Sequence, residues 1–181
     1  MTQAPPVKRF KYKAFISYSH AADGRLAPTL QSALHRFAKP WNRLRAMRVF
    51  RDQTGLGVTP ALWGSIQTAL EESEYFLLLA SPRAAQSAWV DREVEFWLET
   101  RSSSHLLIVL TDGELQWRGS DFDWNLTDSL PRRLKHVFSE EPKHLDLRWA
   151  KTSTDLSLRQ PQFLEAVATC PQLCKASHST R

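Results

Sequence analysis

The sequence predicts an α/β domain built on a parallel sheet, and three observations lead to that prediction. Short apolar runs alternate with amphipathic segments along the chain, which is typical of repeated strand and helix units. One run, residues 75–80 (YFLLLA), is continuously apolar, as expected of a strand buried on both faces. The length of 181 residues fits one domain with a sizeable core. We expect that domain over residues 10–170, between a disordered lead at residues 1–9 and a disordered tail at residues 171–181.

Five strands and five helices follow from the periodicity. The strands are expected near residues 12–18, 47–50, 74–80, 105–111 and 145–148. The helices are expected near residues 24–38, 61–72, 88–100, 127–136 and 160–169. Ser87 is a suitable N-cap for the third helix, because Val90, Val94 and Trp97 then repeat at helical spacing. Asp112 and Gly113 mark the turn after the fourth strand.

Residues 114–126 carry no helical period and are both polar and aromatic. They predict a long surface loop. Loops of this length are uncommon unless they are functional or bind a partner. A variable insertion without a function of its own is the alternative interpretation.

Composition and charge argue against several function classes. The net charge is +5, but basic and acidic residues are mixed, and no zinc-finger, RNA-binding or recognition-helix pattern accompanies them. We therefore expect no nucleic-acid partner, although part of that charge is suited to a phosphorylated ligand such as a dinucleotide. No apolar run approaches the roughly 18 residues of a membrane span, and the N-terminus lacks an apolar signal core. A cytoplasmic protein without a membrane partner is expected.

The two cysteines, Cys170 and Cys174, are separated by three residues. A metal site would need more ligands, and a redox pair would prefer two intervening residues. We expect free thiols in a reducing compartment and no metal site.

Four motifs occur in one collinear order. They are FISYS (residues 15–19), VFRD (residues 49–52) with a glycine-containing loop after it, the apolar strand that ends in Ser81-Pro82, and S-x-W-V-x-x-E (residues 87–93). This order resembles the Toll/interleukin-1 receptor (TIR) domain family over roughly residues 10–170. It is most similar to bacterial, NAD-cleaving members, because those carry a glutamate after the W-V or W-C pair. The resemblance implies a flavodoxin-like fold with strand order 2-1-3-4-5.

Cleavage of the nicotinamide–ribose bond needs little general acid, because the pyridinium leaving group departs neutral. Positive charge develops on the ribose instead, and a single carboxylate held beneath the sugar can stabilise it. Taken by itself, Glu93 fits a solvated helix carboxylate. The resemblance assigns it the catalytic role. Asp91 and Glu95 point elsewhere on the helix and are expected to be surface charges.

The resemblance also implies a substrate pocket around the ends of the first two strands, with NAD+ as the substrate and no cofactor. Several candidates have a structural alternative: core packing for Phe15 and Trp89, and a turn or N-cap for Asp52. The family often carries basic residues at positions 19 and 20, where this chain has serine and histidine. The substrate-binding candidates are Phe15, Tyr18, Ser19, His20, Asp52 and Trp89.

The loop after the second strand, called the BB loop in the family, contains two glycines and no helix or strand pattern. In the family this loop mediates contacts between TIR domains and can complete the active site. Other TIR domains are therefore the expected partners, in a homo-oligomer or filament. The interface candidates are Thr54, Gly55, Leu56, Gly57, Val58, Thr59 and Pro60.

The resemblance thus implies an NAD+ glycohydrolase, with ADP-ribose or a cyclic ADP-ribose species as product, that acts in bacterial antiphage or stress signalling. A non-catalytic TIR scaffold is the main alternative, and Glu93 favours the enzyme because scaffold members commonly lack it. An enzyme like the nucleoside deoxyribosyltransferases is a third possibility. A response-regulator receiver would share the fold, but the first strand ends in Ser17-Tyr18-Ser19 and supplies no acidic cluster for magnesium.

Overall fold

The computed structural model describes residues 10–37, 49–51 and 60–176; the side chains of residues 37, 49, 60, 61 and 171–176 are outside that description. The central sheet of these described residues has five parallel strands: β1 (Tyr12–Ser17), β2 (Val49–Arg51), β3 (Ser73–Ala80), β4 (Leu106–Leu110) and β7 (His144–Asp146). Their order across the sheet is β2-β1-β3-β4-β7. The α/β class and the order 2-1-3-4-5 are confirmed, with β7 as the fifth strand.

Helices cover the two faces of this sheet. Their bounds are α1 (His20–Asp23), α2 (Leu26–Phe37), α3 (Pro60–Glu71), α4 (Pro82–Ala85), α5 (Ala88–Thr100) and α6 (Pro161–Ala176). Three short 3₁₀ turns complete the helical elements, at Ser103–His105, Arg132–Leu134 and Arg148–Lys151. No helix in these described ranges combines the length and apolarity that crossing a membrane requires.

Alternation along β1 divides the core between the two faces. Ile16 and Tyr18 pack with residues of α2 and α6, whereas Phe15 packs with residues of α3 and α5. Every residue of β3 from Tyr75 to Ala80 is buried, as predicted for a central parallel strand. Because side chains alternate along β1, Ser17, the last residue of that strand, faces the same side of the sheet as Phe15, which is the α5 side.

The start of α5 follows the predicted capping. The Ser87 Oγ accepts a 3.3 Å hydrogen bond from the backbone N–H of Val90. Val90, Val94 and Trp97 are buried at helical spacing, and Glu93 is buried among them. Glu93 shares the spacing of three to four residues that places these apolar side chains on one face of the helix, so it too points toward the core.

The predicted helix at residues 127–136 is wrong, since only the turn Arg132–Leu134 forms. The polar side chains of residues 127–129 form hydrogen bonds with residues 114 and 116 instead. The Thr127 and Ser129 hydroxyls donate to the carbonyls of Gln116 and Glu114, and Asp128 accepts from the N–H of Glu114. Such side-chain bonds compete with helix formation.

Residues 114–126 are not wholly irregular. They contain an antiparallel pair, β5 (Trp117–Arg118) and β6 (Asp121–Phe122). Phe122 is buried and contacts the ring of Trp117 edge to face, with the centroids 5.1 Å apart. The prediction of a purely surface loop is corrected by this aromatic anchor.

Helix α6 continues past the point where the tail was expected to begin. The prediction of a disordered tail from Pro171 onward rested on the composition and the terminal position of that segment. The backbone is nevertheless helical to Ala176, so the prediction of disorder is wrong for residues 171–176. Phe163, Val167 and Cys170 of this helix are buried against the sheet and α2.

Candidate functional site

The carboxyl edge of the sheet holds a buried carboxylate at the end of β1. The Ser17 hydroxyl donates a 2.5 Å hydrogen bond to Oε2 of Glu93, which lies on the second turn of α5. Glu93 is 1% exposed and Ser17 is fully buried. Burial of a charge is costly unless it is hydrogen-bonded. The interpretation of Glu93 as a solvated helix carboxylate is therefore wrong.

The position of this pair is the one at which open parallel sheets bind ligands. The chain passes from β1 outward to β2 on one side and then to β3 on the other. This reversal leaves a crevice beyond the carboxyl ends of β1 and β3. Ser17 pairs in register with Leu78 of β3, so the Ser17–Glu93 bond lies at the border of that crevice.

Tyr18 supports a second group at the same edge. Its hydroxyl accepts a 2.7 Å hydrogen bond from Nη1 of Arg51, the last residue of β2. The Arg51 Nε also donates to the Gln31 side chain over 3.2 Å. Tyr18 itself is only 4% exposed. His20 is exposed and stacks on the Tyr18 ring at 4.5 Å between centroids.

Sequence reasoning missed Arg51. The signal was available in the VFRD motif, which puts a cation at the end of an edge strand directly before the loop. The motif was used only to locate the strand and to nominate Asp52. Asp52 and residues 54–59 lie outside the described residues, and Pro60 is the first residue of α3.

The remaining candidates support the site from the interior. Phe15 is fully buried and stacks between Phe50 and Phe76, with centroid distances of 5.4 and 5.9 Å. Trp89 is half-buried and contacts Trp63 of α3 edge to face at 5.5 Å. Both rings occupy packing positions, which agrees with the core alternative for each. Their contact with substrate remains a prediction.

Ser19 lies at the start of α1 and is 8% exposed. Its carbonyl accepts a 2.8 Å bond from the N–H of Asp23, so it begins the short helix above the sheet. Direct contact of Ser19 with a nucleotide also remains a prediction.

A second buried carboxyl group, which sequence reasoning did not single out, lies over the ends of β3 and β4. Asp23 is 4% exposed. Burial raises its pKa to about 6, and the nearby Thr111 hydroxyl and the charge of Lys151 offset this only in part. Ser81 also lowers the pKa of Asp23, whereas the charge of Asp112 raises it.

The other carboxylates of α5 face away from the crevice. Arg133 bonds to Asp91 at 2.6 Å and to Glu95 at 2.8 Å, and both acidic side chains are partly exposed to solvent. The prediction that they are surface charges is consistent with this pairing. In the part of the chain that the structure describes, no group of three or more His, Cys, Asp or Glu side chains could hold a metal ion.

Comparison with curated proteins shows one close similarity. The NAD(+) hydrolase ApTIR of an Actinoplanes species is 54% identical over 160 residues, which cover 87% of this chain and 22% of that protein. The chain thus spans less than a quarter of the length of this relative.

Solved structures with a similar fold have low sequence identity. The TIR domain of the Toll-related receptor TRR-2 from Hydra magnipapillata is 19% identical, with a TM-score of 0.49 over 90% of this chain and 98% of that chain. A prokaryotic SEFIR domain is 12% identical, with a TM-score of 0.47 over 89% of this chain and 90% of that chain. The TIR domains of the activated Roq1 resistosome are 14% identical, with a TM-score of 0.44 over 94% and 86%.

The model of the TIR domain family matches residues 14–135. That match runs from β1 through the turn after the β5–β6 pair, and it includes Ser17, Arg51 and Glu93. It spans more than half of the 181 residues. The chain therefore belongs to the TIR domain family.

Proposed function

We propose that this chain is an NAD+ glycohydrolase that cleaves the nicotinamide–ribose bond, with Glu93 as the catalytic residue. The observation that carries the proposal is the buried carboxylate of Glu93, fixed by the Ser17 hydroxyl at the crevice of the sheet. The 54% identity to a protein named NAD(+) hydrolase supports the choice of substrate.

The reaction places different demands on the two ends of the broken bond. Nicotinamide leaves as a neutral molecule, so its departure needs no strong acid. The ribose carbon gains positive charge, and the Glu93 carboxylate stabilises it across the transition state. Ser17 holds Oε2 in place, which reduces the reorganisation that the carboxylate needs during the reaction. Attack by water on the sugar cation, with release of a proton to solvent, gives ADP-ribose, and attack by a ring nitrogen of the adenine in the same molecule gives a cyclic ADP-ribose species.

The non-catalytic scaffold is less consistent with this arrangement. A carboxylate that is 1% exposed costs folding free energy compared with an apolar residue of similar size. A domain that acts only by surface contacts has no use for a buried carboxylate at the inner end of a crevice, and so gains nothing in return for this loss of folding free energy. The buried carboxylate therefore favours an enzyme over a scaffold.

We further propose that self-association with other TIR domains activates the enzyme, through the predicted interface at residues 54–60. Family membership supports this proposal. The burial of Glu93 also supports activation by self-association. Its side chain is 1% exposed, so substrate can reach the carboxylate of a single chain only after a rearrangement around α5. A role in bacterial antiphage or stress signalling, and a cytoplasmic location, stay predictions.

The test is to incubate concentrated protein with NAD+ and to separate the products by liquid chromatography. We expect free nicotinamide in equal amount to ADP-ribose plus any cyclic species, and turnover per molecule that rises with protein concentration. A parallel incubation with free deoxynucleosides and a base acceptor distinguishes a deoxyribosyltransferase. Absence of nicotinamide release at all protein concentrations would contradict the enzyme, and flat turnover per molecule would contradict activation by association.

A further inference from the structure

We propose that Arg51 binds the diphosphate of the dinucleotide, and that Tyr18 positions Arg51 without contacting the substrate itself. This inference rests on the proposed function for the identity of the ligand. It places the phosphate contact at the end of β2, and it assigns different roles to Tyr18, which the sequence nominated as a substrate-binding residue, and to the cation that Tyr18 holds.

The hydrogen bond between the Tyr18 hydroxyl and Arg51 assigns Tyr18 a positioning role. Tyr18 is 4% exposed, and its hydroxyl accepts the hydrogen bond from Arg51 Nη1 at 2.7 Å. The Arg51 guanidinium also lies 5.8 Å from the centre of the Tyr18 ring. The contact at the hydroxyl thus holds the guanidinium beside the end of β1.

Arg51 is built as an anion-binding group. It is half-buried, and its side-chain hydrogen bonds within the described part of the chain go to Tyr18 and Gln31, which are both neutral. These partners orient the guanidinium without neutralising its charge. A guanidinium has five N–H donors in a fork that matches phosphate oxygens, and partial burial strengthens the attraction.

The topology connects Arg51 to the catalytic carboxylate. Arg51 pairs in register with Ile16 of β1, so it lies beside the end of that strand. Ser17 and Tyr18 are consecutive and face opposite sides of the sheet. Ser17 holds Glu93 on one side, and Tyr18 holds Arg51 on the other. A dinucleotide whose ribose lies at Glu93 would cross the end of β1 and bring its diphosphate to Arg51.

The test measures binding of ADP, which carries the diphosphate but has no nicotinamide bond to cleave. Wild-type protein and the variants Arg51→Gln, Arg51→Lys and Tyr18→Phe are titrated with ADP and followed by amide chemical shifts. Arg159→Gln is the control, because it removes the same charge at an exposed position before α6. Nicotinamide riboside, which has no phosphate, is titrated in parallel.

We expect Arg51→Gln to weaken ADP binding by about tenfold, as for the loss of a charge-assisted hydrogen bond. Arg51→Lys and Tyr18→Phe should lie between it and the wild type, and Arg159→Gln should match the wild type. The affinity for nicotinamide riboside should not change. In NAD+ cleavage, Arg51→Gln should raise KM more than it lowers kcat, which indicates lost binding shared by ground and transition states.

Wild-type affinity for ADP in folded Arg51→Gln would overturn the inference, as would an equal loss in Arg159→Gln or no binding of millimolar ADP to the wild type. These outcomes are separate from those that test the proposed function. ADP binding that depends on Arg51 in a protein that does not cleave NAD+ would support the subsite and contradict the enzyme. NAD+ cleavage that is unaffected by Arg51→Gln would support the enzyme and contradict the subsite.

Discussion

The Ser17 hydroxyl donates a 2.5 Å hydrogen bond to Glu93, a residue 76 positions later in the chain. This bond joins the end of the first strand to the helix that follows the third. Both side chains are almost completely buried, so neither can exchange its partner for bulk water without a local opening. The bond is therefore both a structural contact between β1 and α5 and the support of the proposed catalytic group.

Ser17→Ala removes the donor and leaves the buried carboxylate less well satisfied. We expect a loss of about 1–3 kcal/mol in the free energy of unfolding, measured by urea denaturation at neutral pH. Ser104→Ala is the control, because Ser104 is exposed and bonds to another exposed serine. NAD+ cleavage by Ser17→Ala should fall as well. Equal stability of Ser17→Ala and the wild type would show that the bond contributes little.

Asp23→Asn should change how stability depends on pH. The pKa of Asp23 is raised from 3.8 to about 6, so its ionisation costs folding free energy. The stability that the neutral carboxyl contributes is fully present below the unfolded value of 3.8 and is lost as pH rises through about 6. The wild type should lose about 3 kcal/mol relative to Asp23→Asn across this range, and the difference should be constant at higher pH.

Denaturation of both proteins from pH 4 to pH 8 measures that difference. Asp112, whose charge acts on Asp23, has its pKa lowered by the side chain of Lys151 and is therefore ionised over most of this pH range in both proteins. A difference in unfolding free energy that does not vary with pH would contradict the shifted pKa of Asp23.

Gly113 occupies the turn after β4 that the sequence predicted, with φ of +77°. An added Cβ would lie 2.8 Å from Cγ of Pro82 and would also clash with the Asp128 carboxylate. We expect Gly113→Ala to lower stability by about 2 kcal/mol or more, through backbone strain and these contacts.

Gly64→Ala is the matched control in the interior of α3, where nothing lies within 4 Å of the new Cβ. It should stabilise the protein by about 0.5–1 kcal/mol, because alanine is the better helix former. Thermal denaturation of the two variants and the wild type compares these effects. A midpoint for Gly113→Ala above that of Gly64→Ala would show that the turn tolerates a side chain at position 113.

Local patterns in the sequence predicted the sheet and the position of Glu93 well. The continuous apolar run of β3 and the Ser87 cap of α5 are encoded within a few neighbouring residues. The missed elements depend on contacts between distant segments. Thr127, Asp128 and Ser129 have no helix because they bond to residues 114–116, which no local period reveals.

The residues of the site also differ in whether their role depends on a local motif or on distant contacts. Glu93 was identified by a motif on one helix, whereas the role of Tyr18 depends on Arg51, which lies 33 residues away. Asp23 had no distinguishing neighbours in sequence, and its environment comes from residues after β3 and β4. A side chain can be nominated from its own motif, but burial and partners require the fold.

The rate of nicotinamide release by folded Glu93→Gln tests the catalytic role of this carboxylate most directly. The assay uses concentrated protein, with Glu95→Gln as the control because Glu95 lies on the same helix in a partly exposed ion pair. We predict that Glu93→Gln loses two or more decades in turnover, which corresponds to about 3 kcal/mol or more of barrier, while Glu95→Gln retains wild-type turnover. Turnover near the wild-type rate in folded Glu93→Gln would contradict the catalytic assignment.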